Sequence, residues 1–446
     1  MPQSVYFFGN GKADGTRDMK AILGGKGANL AEMVNLGVPV PPGFTIACDQ
    51  CIAYLKEQTY SDELREEVAQ NLRRLEEATN RRFGDPQRPL LVSVRSGGPV
   101  SMPGMMETIL NLGLNDRTVL ALAQESGNVR FAYDSYRRFL QMYGDVVLNV
   151  PASAFEHLLS AKRMTAGVRH DSELDEHALR NLVEEYKALV RNRTGGDFPM
   201  DPLNQLWGAI EAVWKSWMLK KAVDYRRVNG ISETLGTAVN IVAMVFGNMG
   251  DDSGTGVAFT RDPSTGERRF YGEFLVNAQG EDVVAGIRTP LDIEEMAQRL
   301  PAPYVELLKV QDLLERHFRE MQDLEFTVER GTLYLLQTRT GKRTAAAAIR
   351  IAPDHGGGSH PGHLTLRSCE SCRRSSTSCC IRSSIRAHEQ FRSRGWAPGI
   401  AGRSKRHRGV RSRRRRTTWR ARRGGDPRSG RNNARGLSRH GCGVPC

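Results

Sequence analysis

The residues best suited to chemistry in this 446-residue chain lie between positions 323 and 339, Asp-Leu-Glu-Phe-Thr-Val-Glu-Arg-Gly-Thr-Leu-Tyr-Leu-Leu-Gln-Thr-Arg. Leu324, Phe326 and Val328 alternate with polar positions. Glu329-Arg330-Gly331 reads as a three-residue loop with glycine at the left-handed position, and a second strand follows from Thr332. That loop length sets Val328 opposite Thr332, Glu325 opposite Leu335 and Asp323 opposite Gln337. Side chains in a strand alternate with period two, so Asp323, Glu325, Gln337 and Arg339 share one face while Leu324, Phe326, Val328 and Leu336 pack on the other. Two carboxylates and an amide suit Mg²⁺, which takes one or two protein carboxylates and fills its remaining positions with water and substrate phosphate. Arg339 adds a cation for phosphate oxygens. The same pattern also describes a solvated hairpin face, and the remaining inventory weighs against that: Lys26, Arg95 and a glycine-rich loop complete what phosphoryl transfer needs. No Walker-type GxxxxGK[ST] occurs, which argues against a P-loop enzyme.

The elements that must hold these groups can be traced along the chain. Gly9–Met19 is polar and turn-rich and runs into Gly24-Gly25-Lys26-Gly27-Ala28-Asn29-Leu30, a loop feeding a helix N-terminus. Val38–Phe44 carries three prolines that enforce an extended connection. Leu64, Val68, Leu72 and Leu75 form one buried stripe of a helix over Asp62–Asn80. Residues 90–94 predict a short buried strand that delivers Arg95-Ser96-Gly97-Gly98 at its C-terminal end, where an α/β sheet meets its ligand. Residues 116–228 carry mostly helical patterns, and Trp207, Trp214 and Trp217 recur at core spacing. A strand from Thr237 to Phe246 leads into Gly247–Gly256 before a strand at Val257–Thr260. That arrangement suits a flap whose amides cover phosphates, and it equally suits an Asp/Gly/Ser hairpin turn.

With these residues assembled, the chain resembles the ATP-grasp domain of pyruvate phosphate dikinase. The matching segments run in order through residues 5–352: LGGKGANLAEM from Leu23, VSVRSGGPVSMPGMMETILNLGL from Val92, GTAVNIVAMVFG from Gly236, GTGVAFTRDP from Gly254, NAQGEDVVAGIRTP from Asn277 and LLQTRTGKRT from Leu335. The resemblance implies an α/β (α+β) ATP-grasp-like fold with a helical insert. It also implies ATP and Mg²⁺ as cofactors, and passage of the β-phosphate to a histidine on a separate swivelling domain; pyruvate and phosphate would then become phosphoenolpyruvate, AMP and pyrophosphate. Carried over by the motifs, Lys26, Arg95 and Arg339 contact phosphates, while Asp323, Glu325 and Gln337 hold metal and triphosphate. Glu273 and Glu281 are acids of the nucleotide cleft, and Gly254, Thr255 and Gly256 belong to the phosphate flap. The family often has glutamine where this chain has Val242. The expected division is 1–115 as first subdomain, 116–202 as helical insert, 203–352 as the remainder with flap and hairpin, and 353–446 as a tail.

That tail holds 23 of the 64 Lys+Arg and 4 of the 50 Asp+Glu, a net of +19, which leaves the body at −5. It has 22 arginines against one lysine, few aliphatics and no periodicity, so disorder is expected. Such arginine dominance is also what a GC-rich gene yields out of register. A frameshift that replaced the phosphohistidine and pyruvate domains is the reading we favour, and a histidine domain supplied in trans is another. The run Arg411–Arg416 would bind nucleic acid non-specifically, and a non-catalytic nucleic-acid-binding protein is the competing class; specific recognition is not expected. Cys48 and Cys51 lie in the body and the other six cysteines in the tail; with no membrane-length apolar run, the expected setting is the reducing cytoplasm.

Overall fold

The computed structural model describes residues 3–284 and 288–355. The expected tail and its nucleic-acid and frameshift readings therefore lie outside the described residues, apart from its first few positions.

The strands, in chain order, are β1 (Val5–Gly9), β2 (Lys12–Ala13), β3 (Gly43–Ile46), β4 (Arg82–Phe83), β5 (Pro89–Leu90), β6 (Val92–Gly97), β7 (Thr108–Leu112), β8 (Ala238–Ala243), β9 (Gly254–Phe259), β10 (Tyr271–Val276), β11 (Leu291–Asp292), β12 (Gln322–Glu329) and β13 (Thr332–Thr340). The helices are α1 (Lys20–Asn35), α2 (Cys48–Glu57), α3 (Asp62–Thr79), α4 (Thr118–Ser126), α5 (Val129–Val146), α6 (Ala152–Ala166), α7 (Glu176–Thr194), α8 (Pro202–Ser216), α9 (Lys220–Asn229), α10 (Gly280–Val284), α11 (Met296–Arg299), α12 (Pro301–Phe318) and α13 (Ala345–His355). A six-stranded sheet has the order β2-β1-β3-β8-β6-β7, a five-stranded sheet the order β11-β10-β9-β12-β13, and β4 pairs with β5. Within both large sheets every neighbouring pair is antiparallel.

Antiparallel pairing corrects the expectation for Arg95. In place of a loop at the C-terminal edge of a parallel sheet, Arg95 sits inside β6, opposite Asn240 on one side and Thr108 on the other. The other five residues of β6 are buried, so Arg95 is the one half-exposed position of that strand. Helix α3 begins where expected because the Ser61 hydroxyl accepts from the Leu64 amide, capping its first turn. Leu64, Val68, Leu72 and Leu75 then bury its stripe.

Two large cores dominate the described residues. One runs beneath the six-stranded sheet and among helices α2 to α9, and it contains Trp214 and Trp217. Trp207, by contrast, is partly exposed and stacks on Tyr60 at 4.3 Å, because it falls at the helix edge. The second core joins Leu324, Phe326 and Val328 of β12 to Leu307, Val310 and Leu314 of α12 and to Leu30, Met33 and Val34 of α1. Helix α1 thus serves both sheets at once, and this sandwiched position is what brings Lys26 toward the hairpin. No helix among the described residues is long and apolar enough to cross a membrane.

Candidate functional site

Lys26 owes its place to glycine. At Gly24 the backbone of α1 breaks, with φ 66° and ψ 173°, and the helix restarts behind it. A Cβ at Gly24 would lie 1.6 Å from the Gly97 carbonyl oxygen, so no other residue permits this approach. The Gly25 amide donates to the Gly98 carbonyl at 2.9 Å, which docks the new helix start against the end of β6. Further along, the Asn29 amide donates to the Thr338 carbonyl at 2.8 Å and ties α1 to β13. One helix therefore registers Lys26 against both Arg95 and the hairpin.

The hairpin itself departs from the expected register. Glu329 pairs with Thr332, so the loop has two residues, Arg330 and Gly331, with φ of 47° and 74°. Two positive φ values in succession are the backbone of the turn that matches strand twist. Taken alone, that turn would place Glu325 opposite Leu336 and send Gln337 to the other face. A bulge beside Glu325 and Phe326 restores the parity, so that Glu325 pairs with Gln337 and Asp323 with Arg339. Gln337 Nε2 donates to Glu325 Oε1 at 3.0 Å, and Arg339 Nε donates to Asp323 Oδ2 at 2.7 Å. The bulge also exchanges two leucines: Leu335 joins the core, while Leu336 is half-buried beside a cavity.

Two cavities meet at these groups. The first, about 460 Å³, is walled mainly by apolar side chains including Leu30, Val242, Met244, Phe326 and Leu336. The second, about 530 Å³, holds Lys26, Arg95, Glu325, Gln337 and Arg339 together with Gly97 and Gly98. Arg95, Thr108 and Glu325 line both. Burial pushes the Lys26 ammonium down to about 8; Arg95 and Arg339 push the same way, and Glu325 opposes them. Arg95 forms no ion pair with any described residue. Asp323 is buried against Arg339 and does not line the polar cavity.

The remaining expected residues divide. The resemblance implies a flap at Gly254, Thr255 and Gly256, but they form the start of β9, in the middle of the five-stranded sheet. Glycine is needed there for packing: a Cβ at Gly256 would meet the Phe326 ring at 2.5 Å, and one at Gly254 the Leu275 carbonyl at 2.8 Å. Thr255 and Gly256 nevertheless line the apolar cavity. Glu273 pairs with Val257, which places it on the same sheet face as Glu325, yet it is exposed and borders neither cavity. The Glu281 side chain lies outside the described residues.

Several residues in the site escaped the sequence pattern. Gln279 is buried at the apolar cavity, and its Oε1 finds no hydrogen-bond partner among the described residues. It follows a strand by three positions in an unpatterned loop, so periodicity offers no signal. Arg17, in the turn before α1, and Lys20, the first residue of α1, reach the polar cavity. Among the described residues no three His, Cys, Asp or Glu cluster as a metal site, so a metal here would draw most of its ligands from phosphate and water.

Two antiparallel sheets that present an apolar and a cationic cavity side by side define an ATP-grasp-like domain. The sequence matches the family described as pyruvate phosphate dikinase, AMP/ATP-binding domain, over residues 20–69, 55–302 and 294–355, and the chain belongs to that family. It is 54% identical over 367 residues to a pyruvate, phosphate dikinase of Rhizobium meliloti, covering 79% of this chain and 41% of that protein. The corresponding protein of Clostridium symbiosum is 52% identical over 356 residues, covering 79% and 40%. The chain thus spans about two fifths of the relatives it matches.

Proposed function

We propose that this chain binds MgATP and supplies the nucleotide half of a dikinase reaction, in which pyruvate, ATP and phosphate become phosphoenolpyruvate, AMP and pyrophosphate. The observation that carries this reading is the pair of cavities joined at Arg95, Thr108 and Glu325, one suited to a base and ribose and the other to a polyphosphate. Lys26 and Arg95 are cations set in a partly dehydrated cleft, where their attraction for phosphate oxygens is screened less than in water. Arg339 spends Nε on Asp323 and keeps its two terminal nitrogens as a fork for phosphate.

Glu325, with the Gln337 amide oxygen, offers oxygen donors of the kind Mg²⁺ takes, while Asp323 holds Arg339 from behind them, and the ion would neutralise charge on the transferred group. Thr255 and Gly256 shape the base side of the cleft, with Gly254 behind them. The phosphoryl acceptor is proposed to be a histidine on a further domain, reached in cis or in trans, in the cytoplasm. Calorimetry of MgATP binding to the purified chain, and to the Arg95→Ala and Glu325→Ala variants, tests the reading. Micromolar binding weakened by both substitutions supports it; equal affinities for all three chains would overturn it.

A further inference from the structure

Residues Met244–Ser253 connect β8 of one sheet to β9 of the other, and the turn of the β12–β13 hairpin grips this connection at three points. Glu329 Oε2 accepts from the Phe246 amide at 2.5 Å, the Arg330 amide donates to Ser253 Oγ at 3.0 Å, and the Gly331 amide donates to the Asp252 carbonyl at 2.8 Å. Ala243, Met244 and Val245 form a thin wall. On one side lies the apolar cavity; on the other lies a separate cavity of about 280 Å³ lined by Arg81, Glu125, Phe246, Glu329 and Tyr334. Arg81 there is already paired with Glu125.

The bond to Phe246 has a consequence on the opposite side of the wall. A peptide unit is planar and trans, so the carbonyl of residue 245 points away from the amide of residue 246. The Phe246 amide is aimed at Glu329 in the rear cavity; the Val245 carbonyl is therefore turned away from that bond, and Val245 also lines the apolar cavity. A second acceptor lines that cavity, the Gln279 amide oxygen, which is nine-tenths buried and unpartnered among the described residues. Acceptors without donors in an apolar pocket call for a ligand that brings a donor.

Resting on the nucleotide reading above, we infer that Glu329 is a positioning residue for base recognition: by holding the Phe246 amide it orients the Val245 carbonyl to receive the exocyclic amino group of adenine. Glu329 touches no ligand itself. Selectivity follows from chemistry, because a base with a keto group in that position presents an acceptor to an acceptor and leaves both buried and unpaired. The hairpin then links two tasks, since Glu325 and Arg339 at one end border the polar cavity while Glu329 at the other end sets the wall of the apolar one.

The test compares three probes on the purified 446-residue chain by calorimetry: MgATP, MgITP, whose base carries a keto group in place of the amino group, and inorganic tripolyphosphate with Mg²⁺, which has no base. Wild type should prefer MgATP to MgITP by about tenfold or more, the scale of one charge-free hydrogen bond made or refused in a buried site. Glu329→Ala should lose most of that preference and keep its tripolyphosphate affinity. Glu329→Gln, whose amide oxygen can still accept from Phe246, should restore it. Should the alanine variant fail to fold, Glu329→Asp retracts the acceptor by one methylene and should lose the preference in part. Equal weakening of all three probes in the alanine or aspartate variant, or an unchanged ATP-to-ITP ratio, overturns the inference. A wild-type chain that binds none of the probes overturns the nucleotide reading itself, and the inference with it.

Discussion

Two of the sites that hold charge out of bulk water in this protein are wired differently. In the helical layer Arg137 donates through Nε and Nη2 to Asp134 Oδ1, and Arg138 binds Asp134 Oδ2 at 3.2 Å and Asp282 at 3.2 Å. Burial would push the Asp134 carboxyl up, but the two arginines hold it down at about 2. In the cleft the arrangement is reversed: Lys26 is pushed down to about 8 beside the like-charged Arg95, and Arg95 has no ion-pair partner among the described residues. Charge that serves the fold is matched within the chain, because an unmatched buried ion is costly. Charge left unmatched in a cleft awaits its counter-charge from a ligand.

That contrast can be broken most forcefully at Asp134. Asp134→Ala takes from the buried Arg137 its closest carboxylate and should cost about 3–5 kcal/mol of stability by thermal or denaturant unfolding. Because the folded carboxyl lies below the ordinary 3.8, its contribution is complete above that pH and is lost on acidification toward 2. Arg95→Ala should do the opposite. MgATP affinity should fall by about tenfold to a hundredfold, while the melting temperature stays level or rises, since a repulsive neighbour of Lys26 has gone. A large loss of stability in this variant would refute the contrast.

Lys26 sharpens it further. Its folded value lies below the 10.5 of a free lysine, so the fold favours the neutral amine, and stability should rise between pH 8 and 10.5. A polyphosphate favours the cation, so MgATP affinity should decline as pH rises through about 8, with proton uptake visible by calorimetry in buffers of different ionisation enthalpy. In Arg95→Ala this midpoint should move upward. The smallest effect belongs to Arg191→Ala: its pair with Asp197 is exposed on both sides, and its loss should change stability by under about 0.5 kcal/mol.

The hairpin shows how much of the site could be read in advance. Alternation placed Asp323, Glu325, Gln337 and Arg339 on a common face, and they share it, although the assumed loop was one residue too long. The bulge at Phe326 compensated for that error, and neither feature has a local signature strong enough to be read from these residues alone. Gly254 and Gly256 misled in a different way. Glycine marks a flexible loop and a crowded strand equally well, and only the Phe326 ring and the Leu275 carbonyl decide for the strand. Arg95 lies in the strand expected to carry it, yet the direction of its neighbouring strands could not be inferred from a six-residue segment.

The amino-acid sequence by itself determined the elements with strong periodicity, the α3 stripe, the tryptophan-rich core and the residue types that could meet a phosphate, because period and side-chain chemistry are local properties. Tertiary structure decided which strands pair, that α1 lies between two sheets, that Lys26 stands beside Arg95, and that one hairpin turn grips the wall of the apolar cavity. Those outcomes depend on contacts between residues hundreds of positions apart, such as Asn29 with Thr338, and on close approaches that only packing can impose.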